Sequence, residues 1–206
     1  MSKIIGVIFA GGQSRRFGSQ CKAAAKLGDR PLLQRVLDGL SDQVSDVLIS
    51  GLADWPEEFE QWPEFDRTAL TLVPDLEPSR GPLHGVLSCL LHVRKHHPPK
   101  TDAWLMTTPC DTPLLPRNLT RSLYERAVLA KTQLVICADK NGLHPAHGLW
   151  HLSLLSTLER AIDHQGANSF HDFLANAEYA VARFDSADHF LNINTQEQLA
   201  ELAKRI

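Results

Sequence analysis

The chain has 206 residues, 43% of them hydrophobic, and a formal net charge of −3. That length suits one large core, so a single domain over residues 1–206 is expected. The mildly acidic balance gives no global electrostatic case for nucleic acid, and no apolar segment reaches bilayer length, so neither nucleic acid nor membrane is expected as a partner.

The run from Lys3 to Ala10, KIIGVIFA, is almost wholly apolar, as in a strand buried on both faces of a parallel sheet. It is too short and too closely followed by Gly11 for a signal peptide. A glycine-rich basic segment follows, AGGQSRRFGSQCK from Ala10 to Lys22. Leu32, Leu33, Val36, Leu37 and Leu40 then recur at helical spacing, predicting a helix from about Pro31 to Leu40. DVLISG from Asp46 predicts a second strand, which completes a βαβ unit. The stretch from Ala53 to Arg67, with two Trp-Pro pairs among acids, is expected to be a surface connection.

The alternation continues. Strands are predicted from Thr68 to Asp75, from Asp102 to Asp111 and from Thr132. Helices are predicted from Gly81, from Pro116, from Ser153 and, shorter, from Ser169. Thr195 and Gln198 are spaced as a capping box before a last helix. This order implies an α/β fold in three layers, a mostly parallel sheet with helices on both faces. Ligands of such sheets bind beyond the carboxyl ends of the strands, where the glycine segment, Asp75 and Asp111 all fall.

At that rim the residue types suit phosphate chemistry. Glycines let a backbone approach a phosphate, arginine forks match its oxygens, and Lys22 adds a mobile charge. The segment fits neither G-x-x-x-x-G-K-[ST] nor G-x-G-x-x-G, which leaves it open between a polyphosphate cradle and a solvated basic turn. Asp111 in TTPCDTPLLP reads either as a ligand for a divalent cation or as a turn cap. Asn194 in NINT reads either as an amide ligand or as part of a helix cap. VPDLEPSRGPLHG offers Asp75, Glu77, Arg80 and a Gly81-Pro82 helix start, or an ordinary strand-to-helix loop. Cys21, Cys89, Cys110 and Cys137 form no CxxC pair, so reduced thiols in a cytoplasmic protein are expected.

The ordered set AGGQSRRFG, Lys22, DRPLL, PDLEPSRGPLHG, PCDTPLLP, HPAHGLW and FLNINTQEQL resembles the molybdenum cofactor guanylyltransferase family, within the Rossmann-like nucleotidyltransferases. The resemblance runs from Ile4 to about Leu202. It implies transfer of GMP from GTP to the terminal phosphate of molybdopterin or molybdenum cofactor, with release of pyrophosphate. It implies Mg²⁺ as cofactor and a molybdoenzyme or its chaperone as recipient of the product. By position it implies that Ala10, Gly11 and Gly12 line the nucleotide, that Arg16 and Lys22 act on its phosphates, and that Asp75 lies near it. It implies Asp111 as Mg²⁺ ligand, Asn194 in the metal or substrate shell, and His144-Pro145 on the cofactor side. No general base is needed, because a phosphate oxygen is already a nucleophile.

Three positions depart from the family pattern. Cys21 stands where an aspartate precedes the lysine, which bears on the placement of Lys22. Gly51 and Leu52 stand where an asparagine segment meets the nucleotide, which bears on guanine specificity. Ala167-Asn168 replaces a basic pair, which bears on the pterin phosphate. The alternatives are therefore a cytidylyltransferase acting on the same cofactor, a non-catalytic nucleotide- or cofactor-binding relative, and a sugar-1-phosphate nucleotidyltransferase.

Overall fold

Strand β1 (Lys3–Phe9) is an interior strand of the sheet of the computed structural model; residues 2–11, 21–76, 81–98 and 102–205 are described. The chain continues through a short hairpin, β2 (Lys26–Leu27) and β3 (Arg30–Pro31), into α1 (Leu32–Leu40) and β4 (Asp46–Ser50). Next come β5 (Leu70–Val73), α2 (Pro82–His96), β6 (Ala103–Pro109), α3 (Leu119–Ala130), β7 (Leu134–Asp139) and β8 (Gly142–His151). It closes with α4 (Leu155–Gln165), α5 (Phe170–Leu174), β9 (Ala180–Arg183) and α6 (Gln196–Ala203).

Seven strands form one sheet in the order β5-β4-β1-β6-β8-β7-β9. β1 is flanked in parallel by β4 and β6, β4 pairs in parallel with β5, and β7 pairs in parallel with β9. β8 runs antiparallel to both β6 and β7. Successive residues of β1 face opposite layers, as the period of a strand requires. Ile5 and Val7 pack with α2, α4 and α5, and Ile8 packs with α1 and α3. A smaller core joins α6 and Ile193 to the β2–β3 hairpin through Leu27, Leu32, Leu199 and Leu202.

The mostly parallel α/β sheet is as expected, and the Thr195–Gln198 capping box forms. Two expectations are corrected. The alternation of strands and helices has no place for β8 or β9, yet both lie in the sheet. β8 escapes pattern reading because its sequence carries Pro145 and three histidines. The proline is tolerated because the register against β7 jumps there, from Ile136 opposite Gly148 to Cys137 opposite His144, so that Pro145, Ala146 and His147 bulge out of the ladder.

The segment from Ala53 to Arg67 is more than a surface connection. Phe59 and Phe65 are buried in the α1/α3 core. Trp55 packs edge-on against both, with ring centroids 5.1 and 5.5 Å away. The acids that make the stretch look solvated surround an aromatic plug.

Candidate active site

Four strand ends are laced into one rim. The Cys110 N–H donates to the Phe9 carbonyl at 3.0 Å, joining the ends of β6 and β1. The Ala10 and Gly11 N–H groups both donate to the Ser50 carbonyl, at 2.9 and 3.1 Å, joining β1 to β4. Gly51, at φ +88°, donates to the Val73 carbonyl, joining β4 to β5. A Cβ on Gly11 would lie 2.8 Å from the Gly51 Cα, so the two backbones touch with no room for a side chain. Asp75 sits at the same corner, its Oδ2 3.6 Å from where a Gly51 Cβ would stand. Partial burial pushes the Asp75 carboxyl above the ordinary carboxylate range, with His84 opposing the shift.

The second part of the rim centres on Lys22. A single 3₁₀ turn, Lys22–Ala24, is anchored by the buried Ala23 and Ala24. It points the lysine across the sheet end, where Nζ donates to Asp111 Oδ2 at 2.5 Å and to Asn194 Oδ1 at 2.8 Å. Asp111 follows β6 directly, and its carbonyl accepts the Ile193 N–H at 2.9 Å. The Asn194 N–H donates to Gln198 Oε1 at 2.7 Å, so α6 fixes the amide through its own cap. Residues far apart in the chain thus meet on one ammonium group.

Asp111 Oδ1 is buried and has no hydrogen-bond partner among the described residues. A buried, unsatisfied carboxylate oxygen is costly, and a hard divalent cation is the partner that oxygen ligands of this kind accept. The residues present therefore fit Mg²⁺ or Mn²⁺, with Asp111 and the Asn194 amide oxygen as the protein's donors. Among the described residues no group of three or more His, Cys, Asp or Glu is arranged to hold a metal.

Each departure from the family pattern now has a place. The Cys21 N–H donates to Glu58 Oε1 at 2.9 Å, which ties the start of the lysine turn to the aromatic-plug segment. Lys22 reaches Asp111 with cysteine before it. Burial pushes the thiols of Cys21, Cys89, Cys110 and Cys137 up, so they remain protonated. Leu52 is partly buried and packs against the α1/α3 core. Ala167 is buried, and the Asn168 carbonyl lies 2.8 Å from where a Cβ of Gly81 would be, so this pair closes the start of α2 and supplies no cation.

Gly12 and Arg16 lie outside the described residues, as do Arg15, Glu77 and Arg80. Lys22, Asp111 and Asn194 are brought into direct contact, and Ala10, Gly11 and Asp75 form the neighbouring corner. His144, on β8, has Nε2 3.0 Å from Asp139 Oδ1 and its ring stacked on Phe190. Sequence reading missed Glu58, Gln198, Thr112 and His147. For Gln198 the sequence signals only the capping box; the others carry no local pattern, because their partners are distant in the chain.

The profile of the MobA-like NTP transferase domain matches residues 6–181. A molybdenum cofactor guanylyltransferase of Rhodopseudomonas palustris (strain HaA2) is 33% identical over 198 residues, covering 95% of this chain and 88% of that protein. The solved structure of molybdopterin-guanine dinucleotide biosynthesis protein A from Archaeoglobus fulgidus superposes with a TM-score of 0.73 at 22% identity, over 98% of this chain and 100% of that one. Rv0371C from Mycobacterium tuberculosis H37Rv, solved in complex with manganese, superposes with a TM-score of 0.68 at 17% identity, over 100% of both chains.

Proposed function

The chain belongs to the MobA-like NTP transferase family, and from that membership we propose that it transfers GMP from GTP to the terminal phosphate of molybdopterin or molybdenum cofactor. An acceptor phosphate oxygen attacks the α-phosphorus of GTP. The bond from that phosphorus to the β-phosphate oxygen breaks, and pyrophosphate leaves with the electron pair. The observation that carries the reading is the Lys22 ammonium held between Asp111 and Asn194 beside the laced strand ends. The named R. palustris relative supplies the substrate class.

The reaction brings several phosphates together, so catalysis here is charge placement more than covalent work. Lys22 offsets charge on the triphosphate and on the leaving pyrophosphate. Gly11 and Gly51 leave the corner free of side chains, so a nucleoside can lie directly on backbone, with Asp75 as its polar neighbour. Asp111 and Asn194 would hold Mg²⁺, which when bound neutralises phosphate charge and stabilises the leaving group. The manganese complex of Rv0371C speaks for a divalent ion on this fold. Arg16 and Gly12 extend the phosphate contacts in this reading. A cytoplasmic site of action suits it, and among the described residues no helix is long and apolar enough to cross a membrane. The product would pass to a molybdoenzyme or its chaperone.

The test is pyrophosphate release by the purified protein with Mg²⁺ and molybdopterin, GTP and CTP compared side by side. Release with GTP alone supports guanylyl transfer. Release with CTP alone moves the chain to the cytidylyl reaction. Release with neither nucleotide defeats both.

A further inference from the structure

The HPAHGLW segment is not used up by the reaction above, and its second histidine is a buried polar side chain near the rim. His147 belongs to the three-residue bulge of β8, and its ring is buried. Bulges re-aim side chains, and this one directs the imidazole at the turn that follows β6. His147 Nε2 lies 3.0 Å from Thr112 Oγ1. Thr112 is the neighbour of Asp111.

The donors around this hydroxyl can be balanced. Thr112 Oγ1 donates its one proton to the Pro109 carbonyl at 3.0 Å. It must then accept at Nε2, which puts the imidazole proton there. His147 Nδ1 becomes a bare acceptor, and it indeed has no partner among the described residues. Thr108 Oγ1, at 3.3 Å from Thr112 Oγ1, completes the cluster. The ring is packed by Phe190, edge-on at 4.9 Å, with His144 at 6.1 Å. The Pro109–Thr112 turn is therefore held by the Thr112 hydroxyl, and the hydroxyl is oriented by the imidazole.

We propose that His147 is a positioning residue for the metal-binding aspartate: through Thr112 it fixes the Pro109–Thr112 turn and so sets Asp111 to receive a divalent cation. The inference rests on the reading of Asp111 as the cation's ligand. It is independent of which nucleotide is used. Groups behind a metal ligand act by orienting it, and their removal weakens metal binding more than it weakens the remaining substrate contacts.

The experiment uses Mn²⁺ as probe, with the full chain and GTP. Bound Mn²⁺ is read by EPR without acceptor, and the half-saturating Mn²⁺ and the KM for GTP are read from pyrophosphate release. His147→Leu is expected to raise the half-saturating Mn²⁺ about tenfold or more, with the KM for GTP little changed. His147→Gln keeps an N–H donor and is expected to recover most of the loss. Thr112→Val, nearly isosteric, is expected to match His147→Leu, and the double variant to be no worse than either single one. Should His147→Leu fail to fold, Thr112→Val carries the test alone. Lower melting temperatures with unchanged Mn²⁺ dependence in a manganese-dependent wild type would overturn this inference and leave the Asp111 reading intact. A wild type that binds no Mn²⁺ and turns over without a divalent ion would overturn both.

Discussion

Lys22 and Asp111 form an ion pair at 2.5 Å whose side chains are only 15% and 16% exposed. Neither charge is well solvated, so each depends on the other or on a ligand. Lys22→Met is expected to destabilise the protein by about 1–3 kcal/mol, because it strands a mostly buried carboxylate. It is expected to lower turnover about 100-fold or more, because charge on the phosphates goes unmatched. Urea unfolding and pyrophosphate release read the two effects separately. Asp111→Ala should keep the fold and abolish turnover; normal turnover at saturating Mg²⁺ would defeat the metal assignment.

Asp75 carries the opposite sign of pH dependence from an ordinary paired carboxylate. Its folded pKa is raised by burial, so its contribution to stability is fully present below the unfolded value and is lost as pH rises through the folded one. Asp75→Asn is therefore expected to be more stable than wild type at pH 7, the gain vanishing below the unfolded carboxyl pKa of about 3.9. It should also lose GTP affinity. Melting temperatures across that range, compared with binding at pH 7, check both halves.

Gly51→Ala should be worse than Gly11→Ala. Both new methyl groups would press on backbone, at 2.6 and 2.8 Å respectively, and only Gly51 also has a positive φ, +88°. A cost of about 2–4 kcal/mol is expected for Gly51→Ala, from strain plus overpacking. Chemical denaturation and GTP binding of the two variants would show whether the order holds.

Burial, with His144 nearby, pushes the His147 pKa down to about 3 from an ordinary 6.5. The unfolded imidazole takes up a proton below pH 6.5 that the folded one refuses until about pH 3, so stability falls with acidification across that window. The slope approaches about 1.4 kcal/mol per pH unit. His147→Gln should flatten the decline between pH 6.5 and 4, a range judged against the same ordinary value. Urea midpoints of both proteins over that range provide the comparison.

Phe59→Ala should cost about 3–5 kcal/mol, an amount typical of a buried aromatic and not of a surface loop. A loss under about 1 kcal/mol would return the Ala53–Arg67 stretch to a surface connection.

The rim was legible because its signals are local. A buried strand announces itself by continuous apolar residues, and Asp75 and Asp111 stand immediately after such runs. β8 was not legible, because a strand that contains Pro145 and a bulge has neither alternation nor an apolar run. The aromatic plug was hidden by composition: Phe59 sits among four glutamates within eight residues, and only its distant contacts decide that it turns inward. The Glu58–Cys21 and His147–Thr112 contacts follow the same rule, being hydrogen bonds between segments 37 and 35 residues apart.

Asn194 is 172 residues from the lysine it meets, and the Ile193 N–H closes on the carbonyl of Asp111. β9, the last strand of the seven-stranded sheet, ends at Arg183, before the chain reaches this corner. A chain stopped between Arg183 and Ile193 would thus hold every strand and lack both the amide and the clamp on the Asp111 turn. The sheet and the corner draw on different parts of the sequence: the last strand ends at Arg183, and the contacts that complete the Lys22–Asp111 corner come from Ile193 and Asn194 beyond it.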